Sequence, residues 1–420
     1  ELKGLSFSDQ YVIRIDPSKV RDAEQKNILS TVELKSILEN GGDITRARIQ
    51  RLARSSNPRD RQYAAELLLH TRTDEVASYL TELLLDNDAK VRTTAIQTSI
   101  QKYNNEILNA LIENLSHPIF SNQALHALVL IGAPTLQPLD AAFYRIGQTT
   151  QMMLRIIQVI GRIGGQRARE ILWNKMDYPN KVVVSQVLLA LGECGFKAGI
   201  SQITRIKYVI ESDIDDISWN LHAIQEVTDE GFGRQIKEAL QWEIQNDIEH
   251  IYMLLTMLYD TRSIQLVKEN IDSGTTEGIT YAVELLDVFL SEQLKQRVIP
   301  VLDDISYAER LDKLSFFYPR IRLDSKLVLK FLVNRDFTQS NRWTKACVLF
   351  QIGIQRIEDF KLDLIAQIFN PDPLIREVSA WALYQINPME YENNVKRLDE
   401  ATKRGLDALI IHSKKMTRFE

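Results

Sequence analysis

Short polar breaks interrupt the apolar segments of the chain at a nearly constant interval. The breaks begin at positions 57, 87, 117, 148 and 178, so successive breaks are 30 or 31 residues apart. Between two of these breaks, Val76, Leu80, Leu83 and Leu84 fall on one face of a helix with a 3.6-residue period. An interval of this length accommodates one pair of helices, and repeats of that kind stack on their neighbours. The pattern therefore predicts an all-α chain built from helical pairs.

Glycines form a second periodic marker. Gly132, Gly161 and Gly192 each follow a helical stretch. Glycine just past a helix adopts the left-handed conformation that other residues reach only at a steric cost. Each unit is therefore predicted as a helix, a polar turn, a second helix and a turn that begins at glycine. Gly164 and Gly165 are also interpreted as turn residues, because no strand precedes them and their order is not that of a phosphate-binding loop.

The repeat pattern changes in strength along the chain and predicts four parts. Residues 1–43 form a leader or cap, and residues 44–200 hold the clear helical repeats. Residues 201–342 hold degenerate helical repeats, and residues 343–420 hold a last repeat and a capping helix. No linker rich in glycine or proline separates these parts, so a continuous architecture is predicted.

Helical pairs continue through the degenerate part. At about 30–40 residues per unit, roughly ten or eleven units fit between Thr45 and Leu409. Three pairs are predicted there: Ile236–Ile244 with Glu249–Leu258, Thr261–Ile271 with Ile279–Leu290, and Gln293–Leu302 with Ala308–Phe317.

Two segments closely resemble the turn and second helix of a HEAT repeat, in which an acidic or Asn-Pro turn precedes an aliphatic–arginine pair. The segment Asn57–Asp60, which leads to Ala64 and Ala65, is a looser match. The matching residues are Asp88, Val91 and Arg92 in one segment, and Asp372, Ile375 and Arg376 in the other. The resemblance implies that each aspartate caps its helix and that each arginine reaches the turn of an adjacent repeat. It also implies a right-handed α-α superhelix, a HEAT/armadillo-like solenoid.

Composition and charge favour a folded binding protein over a nucleic-acid-binding one. The 420 residues include 51 Lys and Arg against 56 Asp and Glu, which gives a net charge of −5. A protein that binds duplexes neutralises phosphates with Lys and Arg, so an acidic chain is poorly suited to that role. The apolar stretches are shorter than the ~18–20 residues that span a bilayer, so no membrane-spanning helix is predicted.

No catalytic, metal-binding or cofactor-binding residue is predicted. Asp213, Asp215 and Asp216 form a dense acidic group. Carboxylates bind Ca²⁺ or Mg²⁺, but the EF-hand spacing is absent, so we interpret the group as favourable charge at the start of a helix. The six histidines form no metal-binding motif and are interpreted as surface or capping residues. Cys194 and Cys347 are interpreted as small core residues.

The two ends of the chain carry a broader resemblance. Tyr11–Asp16 and Lys415–Glu420 are similar to the ends of the soluble HEAT region in some bacterial polypeptides. Those polypeptides begin with an ATP/ADP-translocase-like transporter and end with a cyclic-nucleotide-binding domain. The resemblance implies a non-catalytic scaffold or protein-interaction module, which connects or regulates parts of a larger membrane-associated polypeptide. The implied partners are a protein or the neighbouring domains, and the implied location is the cytoplasm, as the soluble part of an inner-membrane protein.

Two alternatives stay open. Some HEAT-like folds are enzymes, namely DNA glycosylases and bilin lyases, and a nucleic-acid-binding role belongs with them. The acidic net charge opposes that role, and Trp219, Trp242, Trp343 and Trp381 are interpreted as core residues. The segment Lys403–Glu420 predicts a basic amphipathic helix, which either caps the last repeat or lies on an anionic membrane.

Overall fold

A computed structural model describes residues 46–69, 73–319, 324–335 and 341–416. These residues form 22 α-helices and three short 3-10 turns, and none of them belongs to a strand. The all-α class predicted from the helical spacing is therefore confirmed. The predicted leader at residues 1–43, including Tyr11–Asp16, lies outside the described residues, as do residues 417–420.

The chain divides into two compact units, the first ending at Ala142 and the second beginning at Phe143. The first unit holds seven helices, the last of which reaches the boundary: α1 (Arg46–Ala53), α2 (Pro58–Leu68), α3 (Thr73–Leu84), α4 (Ala89–Ser99), α5 (Asn105–Glu113), α6 (Ser121–Ile131) and α7 (Leu136–Phe143).

The second unit holds the other fifteen described helices, two of which are much longer than the rest. They are α8 (Thr150–Ile163), α9 (Gly165–Trp173), α10 (Lys181–Glu193), α11 (Ile200–Glu226), α12 (Gly233–Leu258), α13 (Thr261–Asp272), α14 (Thr276–Phe289), α15 (Glu292–Leu302), α16 (Tyr307–Ser315), α17 (Ser325–Asn334), α18 (Arg342–Gln355), α19 (Lys361–Ile368), α20 (Pro373–Ile386), α21 (Pro388–Val395) and α22 (Glu400–Met416).

Polar residues in the breaks cap the N-termini of many of these helices. A capping side chain accepts hydrogen bonds from backbone N–H groups that have no partner within the helix. Asp88 accepts from the N–H of Lys90 at 2.9 Å and of Val91 at 3.2 Å at the start of α4. The same arrangement recurs in both units, at Asn57, Asn104, Thr149, Asn180, Asp260, Thr275, Ser306, Asp324, Asn341, Asp372 and Asn387.

Replacing Asp88 with Ala is expected to lower the free energy of unfolding of the first unit by about 1 kcal/mol, because two N–H groups lose their acceptor. Asp88→Asn keeps an acceptor oxygen at the same place and is expected to cost much less. Urea unfolding followed by circular dichroism measures both variants. An equal loss in both would show that the carboxylate charge matters and the cap does not.

In the first unit, α1 to α6 each pack on a helix two places away along the chain as well as on a sequence neighbour. One row consists of α2, α4 and α6, and a second row consists of α1, α3 and α5. Buried residues of α4 include Val91 and Ala95, both with no exposed area, and the Thr98 hydroxyl donates to the Ala65 carbonyl in α2 at 2.8 Å. The small side chains let α2 and α4 approach closely, so the rows bury a shared core.

In the second unit, a longer row connects the helices. We call it the spine: α8, α10, α12, α18, α20 and α22, each packed on the one before it. The helices between α12 and α18 form a side branch, because α13 to α16 follow one another along the α11–α12 hairpin while α12 contacts α18 directly. This route through the unit brings residues near position 215 against residues near position 335.

Three predicted pairs in the middle of the chain have different outcomes. α13 with α14 and α15 with α16 match two predicted pairs to within three residues at each end. The third prediction is wrong, because residues 233–258 form the single helix α12. The predicted break falls between Ile244 and Glu249, where the buried Asp247 pairs with Lys181 of α10.

The predicted glycine turns are confirmed at Gly132 and at Gly164 and Gly165, and are wrong at Gly161 and Gly192. Gly132 ends α6 with a φ of 77°. Gly161 and Gly192 lie inside α8 and α10, and the left-handed turn residues are Gly164 and Gly195, at φ of 66° and 61°. Each helix therefore continues past the predicted end. Gly161 has a different role: a Cβ at this position would lie 2.8 Å from the Cβ of Ala190 in α10.

The helix α22 is the last described element of the spine. Leu406 and Ile410 are buried in this helix, which packs on α20, whereas Ile411 is 55% exposed. Burial of the two apolar residues favours the capping role over the membrane-surface alternative. Within the described ranges, no helix combines the length and the apolar content that crossing a bilayer requires.

Candidate functional site

Six polar residues from three helices meet inside the second unit and form what we call the polar cluster. Its members are Lys181 and Ser185 of α10, Asp213 and Asp216 of α11, and Asp247 and His250 of α12. Each pair is three or four residues apart, so both members project from one face of their helix. Because α10 and α11 both pack on α12, the three faces converge.

Lys181 connects the three helices. Its Nζ lies 2.7 Å from Oδ1 of Asp247 and 2.9 Å from Oδ2 of Asp216. Burial alone disfavours the charged amine, but the two carboxylates outweigh it and raise the pKa of Lys181. The Lys181 side chain is 29% exposed, so the cluster reaches solvent along this side chain.

The carboxylates are in a different situation from the amine. Asp213 is 6% exposed and Asp247 is 1% exposed. Burial raises the pKa of Asp213 well above its ordinary value, against the opposing charge of Lys181. Burial likewise raises the pKa of Asp247 to about 7. One oxygen of each, Oδ2 in both residues, is buried and has no hydrogen-bond partner.

The imidazole of His250 is oriented by Ser185. The two side chains meet at 2.5 Å between Ser185 Oγ and His250 Nε2. The Ser185 hydroxyl donates its proton to the Lys181 carbonyl oxygen at 2.8 Å, so it accepts from Nε2 and leaves the lone pair of the ring on Nδ1. Burial, with a further contribution from Lys181, lowers the pKa of His250 to about 4. The ring is therefore neutral at pH 7.

Residues near the start of α18 close the other side of the cluster. The Arg335 guanidinium donates to Asp216 Oδ1 at 3.3 Å and to Asn220 Oδ1 at 2.8 Å, and it lies 4.2 Å from the ring centre of Trp219. Glu243 accepts hydrogen bonds from the backbone N–H of Asn341, at 2.8 Å, and from the Thr344 hydroxyl. The α11–α12 hairpin is therefore held to the next helix of the spine by charged and polar contacts.

The arrangement suits holding a cation or a proton better than transforming a substrate. Three carboxylates face one ammonium inside the cluster, and Arg335 contributes positive charge at its edge. Carboxylates and a neutral imidazole are electron-pair donors.

Comparisons with known proteins add little to this geometry. No family model matches the chain, and no curated protein is significantly similar to it. A crystal structure of an engineered protein, solved by the Northeast Structural Genomics Consortium, matches with 13% identity and a TM-score of 0.24. The match covers 50% of this chain and 97% of that one. A similarity at that TM-score does not define the architecture or the function of the chain.

The six residues singled out by the HEAT resemblance lie outside the polar cluster, three in each unit. Asp88 and Asp372 cap α4 and α20, and Val91 and Ile375 are completely buried on those helices. The arginines differ from each other. Arg92 donates from Nε to Asn114 Oδ1 of the next turn at 2.7 Å, whereas Arg376 donates to the carbonyl of Asn370 in its own turn. The implied contact with an adjacent turn therefore holds for Arg92 and is wrong for Arg376.

Arg61, which is not one of these six residues, also makes a contact with the turn of an adjacent repeat. Its guanidinium makes two hydrogen bonds to the Asp86 carboxylate in the turn before α4, at 2.6 and 2.9 Å. Such a bidentate pair fixes both distance and orientation. It ties α2 to the turn of the following pair.

The acidic group of α11 was misinterpreted from the sequence. Asp213 and Asp216 do not begin a helix, because α11 starts at Ile200 and continues without a break to Glu226. A signal for burial was present: Ile210, Asp213, Ile214 and Ile217 recur at the spacing of one helical face. The local sequence places both aspartates on an apolar face, but it does not reveal their partners on α10 and α12.

Some of the tryptophans and cysteines that were interpreted as core residues are not buried. Trp242 and Trp343 are 56% and 54% exposed, so the assignment of these two to the core is wrong. Trp381 is half-buried and stacks on Phe350, with ring centres 4.5 Å apart. Cys347 is buried, as predicted, whereas Cys194 is half-buried at the end of α10.

A surface cavity of about 320 Å³ lies beside α9 and the loop after α10. Trp173 and Phe196 stack in it with ring centres 5.2 Å apart. Arg167 pairs with Glu170 at 3.3 Å, and Lys197 donates to two carbonyl oxygens at the end of α12. These two cationic side chains of the cavity are therefore already engaged within the protein.

Proposed function

We propose that this chain is a non-catalytic helical-repeat scaffold, a right-handed HEAT-type superhelix that binds a protein partner or neighbouring domains of its own polypeptide. The observation that carries the proposal is the row packing within each unit. The helices α1 to α6 form two rows in the first unit, and the spine helices form one row in the second, each packed on the one before it. Stacked repeats touch mainly their neighbours and leave an extended surface, which suits binding rather than a single catalytic pocket.

The polar cluster supports a structural role for the chemistry-bearing residues. Asp213, Asp247 and His250 are each at most 6% exposed. A catalytic acid or base must come within hydrogen-bond distance of the substrate, and these positions between α10, α11 and α12 do not offer that access. We therefore propose no enzymatic activity and no nucleic-acid-binding role.

Exposed tryptophans support a protein partner. Trp242 on α12 and Trp343 on α18 belong to adjacent helices of the spine. Each stands next to the contact between Glu243 and Thr344, so the two helices that carry them are held in a fixed relation. Tryptophan is enriched at protein interfaces and among the residues that dominate binding energy. We propose that the partner covers these two side chains.

The resemblance to the HEAT region of ATP/ADP-translocase-like fusions extends the proposal. On this resemblance we propose that the scaffold is a cytoplasmic, regulatory or connecting region of a larger membrane-associated polypeptide. The partner is then a neighbouring domain of that polypeptide or a protein that binds alongside it.

The partner surface is tested by photo-crosslinking in cells with benzoylphenylalanine at position 242 or 343. Both positions are expected to capture the same partner segment, identified by mass spectrometry. Val288 on α14 is 82% exposed and lies off the spine, so crosslinking from position 288 is the matched control and should not capture that segment. The purified partner is expected to bind Trp242→Ala or Trp343→Ala at least about tenfold more weakly than wild type.

Two results would contradict the proposal. One is equal capture of the same segment from positions 242, 343 and 288, which would indicate contact without a defined surface. The other is an unchanged Kd in both tryptophan variants, measured by calorimetry with circular dichroism as the check on folding.

A further inference from the structure

We propose that Asp213, Asp247 and His250 form a binding site for one divalent transition-metal cation, represented by zinc, between α11 and α12. One ligand atom from each of the three side chains lies within 4.8 Å of the other two. Ligands of a tetrahedral zinc ion stand about 2.0–2.2 Å from the metal and therefore roughly 3.4 Å apart. In the proposal, side-chain rotations close the remaining distance. The site is separate from the proposed scaffold function and from its tryptophan surface.

Two buried carboxylate oxygens supply evidence for a cation site that does not depend on the spacing of the three ligand atoms. Oδ2 of Asp213 and Oδ2 of Asp247 have no hydrogen-bond partner. The two residues are only 6% and 1% exposed, so solvent does not supply one. Buried polar atoms in native proteins nearly always have a partner. A carboxylate oxygen accepts hydrogen bonds or coordinates a cation. One cation between α11 and α12 would therefore provide a partner for both oxygens.

The hydrogen bonds around His250 prepare it as a ligand. The Ser185 hydroxyl accepts a hydrogen bond from Nε2 of His250, because it donates its own proton to the Lys181 carbonyl oxygen. The lone pair is thereby fixed on Nδ1. Metal-binding histidines commonly donate their other ring N–H to a neighbouring oxygen, which sets the tautomer and the orientation of the ring. Ser185 supplies that oxygen.

The ligand types select the class of ion. An imidazole with carboxylates suits zinc and neighbouring transition metals, whereas Ca²⁺ and Mg²⁺ prefer sites made of oxygen alone. Charge also balances, since the two carboxylates neutralise a divalent ion. Lys181 keeps its contacts, because it binds Asp216 and the other oxygen of Asp247, Oδ1. Asp247 then bridges the ammonium and the metal.

Zinc titration of the metal-free wild-type chain tests the site directly. Protein dialysed against a chelator is titrated with Zn²⁺ in competition with a chromophoric chelator, with Ca²⁺ and Mg²⁺ as comparison ions. One zinc ion per chain is expected, together with a rise in Tm that Ca²⁺ and Mg²⁺ do not reproduce. Asp213→Asn and His250→Gln are each expected to weaken zinc binding at least about tenfold.

Matched controls separate the site from general effects of charge. Asp215→Asn changes an aspartate on the same helix outside the three ligands, and His126→Gln changes an exposed histidine of α6. Both should bind zinc as the wild type does. Absence of stoichiometric zinc in the wild type, or unchanged binding in both ligand variants, overturns the proposal.

Cobalt(II) provides a second measurement that needs no variant. Co²⁺ bound by one imidazole and two carboxylates with an open position absorbs visible light as a four- or five-coordinate ion. A six-coordinate spectrum like that of aqueous Co²⁺ would also overturn the proposal.

Discussion

The Lys181→Met variant is expected to unfold with a free energy about 3–5 kcal/mol lower than that of the wild type in metal-free buffer. Methionine fills much of the space of the lysine side chain but removes the ammonium that binds Asp247 at 2.7 Å and Asp216 at 2.9 Å. Asp247 is 1% exposed, so solvent cannot replace the lost partner. Without the ammonium, each carboxyl group must either stay charged without its partner or take up a proton, and breaking a buried pair in this way costs far more than the net gain from forming the pair.

Lys326→Met is the matched control for this loss. Lys326 pairs with Asp359 at a site where both side chains are more than half exposed, and exposed pairs contribute about 0–1 kcal/mol. Urea unfolding at neutral pH measures both variants. The deficit of Lys181→Met should shrink as the pH falls, because protonated carboxylates no longer need the ammonium. Equal effects at positions 181 and 326, or a deficit that does not depend on pH, would contradict the interpretation.

The fold class and the helix starts that follow the polar breaks can be predicted from local sequence. The polar residues at the breaks act on the backbone two or three positions away, as Asp88 does for Lys90 and Val91. Such effects are visible in a single segment. The error at α12 has a nonlocal cause: Asp247 looks like a turn residue until Lys181, 66 positions earlier, is placed beside it. A polar residue with a buried partner elsewhere does not stop a helix.

The same reasoning explains why the polar cluster was not predicted. Each helix contributes only two of its residues, and the three segments are separated by about one repeat. Periodicity puts Asp213 on an apolar helix face with Ile210 and Ile217, which is an unusual position for a carboxylate. Periodicity does not show which residues face it across the helix contact. The site depends on how α10, α11 and α12 pack, and this information is spread over all three.

Close packing between spine helices leads to the second large expected effect. Gly353→Ala is expected to lower the free energy of unfolding by about 2–3 kcal/mol. A Cβ at Gly353 of α18 would lie 2.5 Å from Cζ3 of Trp381 and 2.9 Å from Cα of Ala382, both in α20. The tryptophan ring can shift, but the Ala382 backbone can yield only if the two helices separate. Separation also disturbs the stacking of Phe350 on Trp381.

Gly192→Ala is the control that makes this result specific, because the opposite sign is expected. Gly192 also lies inside a spine helix, α10, yet no atom is within 4 Å of the place its Cβ would take. Alanine favours a helix over glycine by about 0.5–1 kcal/mol, so this variant should be slightly more stable than the wild type. Thermal unfolding of both variants decides the point. If Gly353→Ala were as stable as Gly192→Ala, α18 and α20 would not be in the close contact that the spine requires.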